Sequence, residues 1–360
     1  MSYDTALLIG LENYADGIYN ASDLNRSISS KLRSAQGSII YDEDTFVLRN
    51  VNEIKTIDGR KRLVVKGDNS SCFFKVDDLS WNSSTASIGK PIRVAMGMCI
   101  RFSKTPPDGS YTVCIHTKGT WSKIYYPFKP NVDYYIELLY HGPRETSKTG
   151  AYYINGKRIS GTLGGGGGST GQECYLGVNF TSTNNVPTPE FAYVSDLYIS
   201  HSTEVGQSPR LGPITVDSID CYVKQYKGVS LSPSGEVTSD TIAAIFNEPR
   251  NTTSTTTPNV ILYKSSSFVQ VGFKSKTSGE SYEAACVTTN CFSDEPSGND
   301  LKISVNLNGG GGDPVTLEPG QTTEQLAGSY FTGKVISGSI SDSEIDKGFH
   351  VNIQSVQGVV

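Results

Sequence analysis

Only four histidines occur in the 360 residues, His116, His141, His201 and His350, and none stands in an HxxxH or HExxH arrangement. A zinc hydrolase needs such a ligand cluster, so no metal-hydrolase site is legible. No GxxxxGK[ST] phosphate loop occurs. A Ser-His-Asp triad assembles from distant positions, and nothing in this chain nominates one. Gly166, Gly168 and Gly171 match GxGxxG formally. A dinucleotide site needs that turn between a strand and a helix. The next segment here, Glu173-Cys174-Tyr175-Leu176-Gly177-Val178, reads as a strand, so the match fails on context.

Glycoside hydrolysis needs two carboxylates roughly 5–9 Å apart across the scissile bond. The Glu-x-Asp-x-x-Glu spacing that would place them on one strand face is missing. The nearest acidic clusters are Asp42-Glu43-Asp44 and the run Asp342, Glu344 and Asp346. Both read as solvated turns, with a calcium ion as the alternative, because calcium collects several carboxylate and carbonyl oxygens. For sugar binding the candidates are Trp121, Tyr125, Tyr126 and Tyr14, whose planar rings can stack on sugar faces. The competing role for the same rings is packing in the core or in a subunit interface. Seven cysteines lie at 72, 99, 114, 174, 221, 286 and 291, with no CxxC pair. The odd count reads as buried thiols of a reduced protein. Cys286 and Cys291 could meet across a hairpin as one disulfide if the geometry permits. No cofactor is expected.

The elements that would hold these residues are strands. Short apolar runs bounded by Gly, Pro, Asn or Asp recur, as in Arg62–Lys66, Cys72–Val76, Ile92–Ile100, Tyr111–Ile115, Tyr134–Tyr140 and Ala151–Ile154. Such density reads as a sandwich. Asn155-Gly156 between Tyr153-Ile154 and Lys157-Arg158-Ile159 predicts a type I′ hairpin, since both residues tolerate positive φ. Helix signals are few. Ser239-Asp240 offers an N-cap for a short helix carrying Ile242, Ile245 and Phe246 and ending near Asn247. Leu24, Ile28 and Leu32 at four-residue steps predict another within residues 22–33. The glycine runs 164–168 and 309–312 read as hairpin tips.

Composition narrows the class. Lys plus Arg is 31 and Asp plus Glu is 36, a net charge of −5, so no basic field is present to hold nucleic acid. Asp4 before Ala6-Leu7-Leu8-Ile9 is wrongly flanked for a secretory signal, and no stretch reaches the roughly 18 apolar residues of a membrane span. The expectation is a protein made in a cytoplasm, with no membrane insertion. Two prolines and two glycines in Gly206–Pro213 interrupt the strand pattern. The chain is therefore divided into a sandwich domain over 1–205, a linker over 206–213 and a smaller β domain over 214–360.

Five segments, in order, carry a family pattern: Ala6–Tyr14, Tyr134–Leu138, Tyr152–Lys157, Phe191–Ile199 and Leu211–Val216. Together they resemble the concanavalin A-like (laminin-G-like) domains of tailed-bacteriophage virion proteins. They match an apolar first strand, a "W/Y-Y-I-E-L" strand, a "V-D/N-G" hairpin, a closing "V-D-D-L-Y-V" strand and an "L-G-D-V-R-V" segment. Ser195 stands where an acidic residue is usual, and Gly212-Pro213 replaces a Gly-Asp pair. Both departures weaken any calcium carry-over. The resemblance covers residues 1 to about 225.

The resemblance implies an all-β chain, a concanavalin A-like jelly-roll sandwich followed by a second, smaller β-sandwich-like domain. It implies a non-enzymatic structural component of a virion, in the tail or a tail-attached appendage or fibre. Capsid decoration is one alternative and a carbohydrate-binding host-adsorption module another. The implied partners are other virion proteins, copies of the chain itself and host-surface polysaccharide, and the location is the virion. The 20 Tyr and 13 Phe add to the expectation of a repeated subunit, because such rings are enriched at interface centres.

Overall fold

The computed structural model describes residues 3–12, 14–29, 45–67, 69–76, 93–106, 113–117, 120–141, 150–159, 174–180, 191–202, 208–248, 259–275, 281–282, 298–307, 315–317 and 340–357. It divides into two compact units, Met1–Val216 and Asp217–Val360. The predicted break at 206–213 thus lies a few residues early.

The first unit holds β1 (Tyr3–Ile9), β2 (Gly17–Ile18), α1 (Ala21–Ser29), β3 (Phe46–Arg49), β4 (Glu53–Ile57), β5 (Arg60–Lys66) and β6 (Ser71–Val76). There follow β7 (Arg93–Phe102), β8 (Val113–Thr117), β9 (Thr120–Lys123), β10 (Asp133–His141), β11 (Ala151–Ile154), β12 (Lys157–Arg158), β13 (Cys174–Asn179) and β14 (Phe191–Ser202). Two antiparallel sheets form. One runs β12-β11-β10-β7-β14-β5-β4-β2, with β1 joining β14 beyond β5; the other runs β3-β6-β13-β8-β9.

Their facing side chains make them a sandwich. On β7, Val94, Met96, Met98, Ile100 and Phe102 are fully buried, and on the opposing sheet so are Cys72, Phe74, Cys174, Leu176 and Val178. Each such large side chain contributes roughly 1.5–3 kcal/mol by leaving water. Asn155 (φ 49°) and Gly156 (φ 76°) turn β11 into β12 with Ile154 opposite Lys157, as a type I′ hairpin requires. Asp58 (φ 50°) and Gly59 (φ 78°) do the same between β4 and β5. Helix α1 begins one residue earlier than predicted and buries Leu24 and Ile28.

The second unit holds β15 (Cys221–Lys227), β16 (Val229–Ser232), α2 (Ser239–Asn247), β17 (Asn259–Leu262), β18 (Phe268–Phe273) and β19 (Ser281–Tyr282). Then come β20 (Asn299–Leu307), β21 (Val315–Leu317), β22 (Ile340–Ser341), α3 (Asp342–Gly348) and β23 (Phe349–Gln357). Its five-stranded sheet runs β15-β18-β23-β20-β21, and β16-β17 and β19-β22 form two-stranded ribbons. One face of the large sheet packs Val269, Val271, Ile303, Val351 and Ile353 with Ile242 of α2 and Ile345 of α3. The fold class is all-β, two sandwich-like units in series.

Helix α2 is capped one residue before the predicted Ser239. The Thr238 hydroxyl accepts the Thr241 amide at 3.1 Å, and the Thr241 hydroxyl accepts the Thr238 amide at 2.9 Å. Helix α3 departs from the sequence expectation. The acidic run read as a turn lies within it, Asp342 and Glu344 in its first turn, which is capped by Ser341, whose amide donates to Glu344 at 2.8 Å. That capping box holds the Glu344 carboxyl below its usual range through the Ser341 amide and hydroxyl. No trio of His, Cys, Asp or Glu among the described residues is arranged to hold a metal.

Candidate functional site

The family-like segments meet on the outer face of the large sheet. Strand β10 sends Tyr134, Ile136, Leu138 and Tyr140 inward, so period-two geometry turns Tyr135, Glu137 and Leu139 outward. Glu137 sits opposite Gly97 of β7 on one side and Tyr153 of β11 on the other. Tyr198 of β14 faces the same Gly97 from the far side. A Cβ at Gly97 would lie 2.2 Å from Tyr198 Cε1 and 2.9 Å from Tyr135 Cε1. Glycine there is what lets the two rings lie parallel, 9° apart with centroids at 6.3 Å.

Segment 209–216 is strapped over this face. The Glu137 carboxylate is 0% exposed. It accepts the Tyr198 hydroxyl at 2.6 Å and the Gly212 amide at 3.0 Å, and it pairs with the Arg210 guanidinium. The guanidinium carbon also lies 3.3 Å from the Tyr153 ring centroid. Upstream, the Ser200 hydroxyl donates to the Pro209 carbonyl. Downstream, the Val216 amide donates to Asp196 at 2.8 Å. Leu211 and Ile214 pack onto Ala95, Cys99, Tyr135, Leu139 and Tyr198. Of the predicted linker 206–213, the described part is therefore bound to the sandwich.

Asp196 lies in a bulge of β14, between Ser195 and Tyr198, with φ 52°. Asp tolerates this left-handed conformation better than most residues, and the bulge re-aims its side chain. The buried carboxylate accepts the Ser195 hydroxyl at 2.8 Å and Arg60 at 3.0 Å, while its carbonyl accepts the Tyr135 hydroxyl at 2.9 Å. A second ionic cluster closes the neighbouring strands. Arg62, 1% exposed, grips Asp133 in bidentate fashion at 2.8 and 2.9 Å, and Arg101 pairs with Asp58 at 2.6 Å.

Burial shifts the titration of several of these groups. Burial first, then the neighbouring Glu137, pushes Tyr198 well above the usual phenol range, and burial does the same to Tyr135. Burial raises the Asp196 carboxyl despite the Val216 amide and Arg60. The Cys99 thiol is pushed up to about 11 by burial, with Asp133 and Asp196 adding to it. A nucleophile needs the opposite shift. Burial works against the Arg62 charge, but Asp133 outweighs it and raises the guanidinium further. The arrangement is a clamp: tyrosine hydroxyls, backbone amides and an arginine fasten a strap through one buried carboxylate.

The predicted sugar-binding residues do not form one site. Tyr14 is a correction: it is fully buried, edge-on to Tyr19 at 6.2 Å, because its ring completes the core beyond β1. Trp121 lies on edge strand β9, in register with His116. Tyr125 follows in the next loop, 63% exposed. Tyr126 is half-buried, packed on Phe128 at 5.1 Å and Tyr134 at 5.6 Å. Tyr125 is thus a ring open to solvent and Tyr126 a wall of the cluster beneath. Cys286, Cys291 and both glycine runs lie outside the described residues. Cys72, Cys99, Cys174 and Cys221 stand as thiols, joined in no disulfide. Sequence reasoning passed over Arg210 and Asp196, although both stand within or beside the quoted segments.

No family model matches the chain, and no curated protein matches it. Solved structures do. Alginate lyase Aly36B is 12% identical over 55% of this chain and 96% of its own, with a TM-score of 0.33. A mutant Trypanosoma rangeli sialidase displaying trans-sialidase activity is 13% identical over 46% of this chain and 29% of its own, at 0.28. A botulinum neurotoxin type C structure, described by cell entry through two ganglioside molecules, is 10% identical over 99% of this chain and 94% of its own, at 0.31. Likenesses this loose say nothing of the chemistry of this chain.

Proposed function

We propose that the chain is a non-enzymatic structural component of a tailed-bacteriophage virion, in the tail or an appendage attached to it, working as a repeated subunit beside other virion proteins. One observation carries the reading. The segments that resemble virion proteins, around Glu137, Asn155-Gly156, Tyr198 and Gly212, converge on the clamp described above. Its buried carboxylate is taken up by Tyr198, Gly212 and Arg210 in fastening the strap, a structural role rather than one of turnover. Immunogold labelling of purified particles tests it: label along the tail supports the proposal, label over the head supports capsid decoration instead, and unlabelled particles refute both.

The exposed Tyr125 ring favours a second reading, a module that binds host-surface polysaccharide. Glycan-array binding abolished by Tyr125→Ala would support it. Binding that is missing, or indifferent to that substitution, would refute it.

A further inference from the structure

The five-stranded sheet of the second unit buries one face and leaves the other uncovered by its helices. Cross-strand register puts Gln270, Asn352 and Ser304 in one row on that outer face, with Gln354 in the next. All four are half-buried, and among the described residues no hydrogen bond engages the amides of Gln270, Asn352 or Gln354. Tyr222, on edge strand β15, stands opposite Gly272 and is 39% exposed. A Cβ at Gly272 would lie 2.5 Å from Lys224 Cε and 2.8 Å from Tyr222 Cζ and Oη, and the Lys224 ammonium stands 6.0 Å from the Tyr222 ring centroid. The missing side chain therefore lets the phenol ring lie across the neighbouring strand, beside the amide rows.

From this juxtaposition we infer that the outer face of the second unit binds an uncharged polysaccharide. Amide groups donate and accept at once, which matches a ligand made of hydroxyls. A ring laid on the sheet supplies a stacking surface at its margin. Strands spaced about 4.8 Å and alternate residues about 6.7 Å apart give the rows the scale of a few sugar rings. Other partners fit less well. A protein interface wants an apolar centre, and this centre is amide and hydroxyl. A polyanion wants clustered cations, whereas the lysines here, Lys224 and Lys302, stand apart on strands β15 and β20, and the chain carries −5 overall.

The inference is independent of the virion proposal, because it is read from binding and not from particle composition. The test is affinity electrophoresis of the full chain through gels cast with dextran, mannan or galactomannan, with heparin as the polyanion arm. At least one neutral polymer should retard the protein. Gln270→Ala with Asn352→Ala should weaken that retardation at least about fivefold, the loss of roughly one hydrogen bond or more. Tyr222→Ala, on an edge strand, should weaken it as well and serves as the measurement if the double variant melts early. Tyr125→Ala should leave it unchanged. Retardation by none of the neutral polymers, by heparin alone, or undiminished in the double variant and in Tyr222→Ala would overturn the inference.

Discussion

Replacing Arg210 by Met should loosen the first unit, and Glu137→Gln should then restore it. Met keeps an apolar stem against Tyr153 but removes the charge facing a carboxylate that is 0% exposed. Breaking a buried pair by deleting one partner costs roughly 3–5 kcal/mol. Two considerations lower that figure: the Arg210 side chain is 17% exposed, and Tyr198 and Gly212 still donate to Glu137. About 2–3 kcal/mol remains, with solvent screening allowed for. In a unit of this size that shifts Tm by roughly 4–12 °C. In the double variant the glutamine carries no charge to strand and still offers an oxygen to Tyr198 and Gly212, so the cost relative to the parent should fall below about 1 kcal/mol. Urea unfolding followed by tryptophan fluorescence isolates the effect, because Trp81 and Trp121 both lie in the first unit. The reasoning fails if Arg210→Met lies within about 0.5 kcal/mol of the parent, as for a surface pair, or if Glu137→Gln adds to its cost.

Gly97→Ala should destabilise the same unit by about 1–3 kcal/mol through overpacking against Tyr198 and Tyr135; an unchanged melting curve would contradict the packing described. Asp196 has its carboxyl pKa raised above the ordinary 3.8, chiefly by burial, so the folded state takes up a proton first. Its contribution to stability is greatest below the unfolded pKa and declines as pH rises through the folded one. The stability of the parent relative to Asp196→Asn should therefore decline from about pH 4 upward, and an increase would reverse the sign argued here. Burial lifts Cys99 and Cys221 to about 11, so at pH 8 about one thiol in a thousand is ionised. Peptide mapping should find both unmodified by iodoacetamide in the native protein and modified in urea; rapid native labelling would contradict their described settings.

Local chemistry was legible where one short segment decides the outcome. Asn155-Gly156 needs only its own two residues to make a type I′ turn. Helix α2 announced itself by an apolar spacing and a nearby hydroxyl. Helix α3 carried an equal signal, Ser341 three residues before Glu344, but the acidic run around it reads more readily as a turn. The clamp could not be read so directly. Glu137 stands in a recognisable strand, but Arg210 arrives 73 residues later in a stretch whose prolines and glycines suggest a linker. Only the pairing of β10 with β7 and of β7 with β14 brings the two together. Tyr14 shows the converse. Its ring looks available in the sequence, yet burial depends on Tyr19 and the strands around it. The left-handed Asp196 is likewise a product of a register shift that no local motif marks.

Quantitative mass spectrometry of gradient-purified particles, scaled to their major capsid protein, tests the central claim most directly. The account predicts peptides of this chain at tens of copies per particle, the stoichiometry of a tail or tail-attached part. Hundreds of copies would move the chain to the capsid surface, and its absence from washed particles would contradict a structural role in the virion.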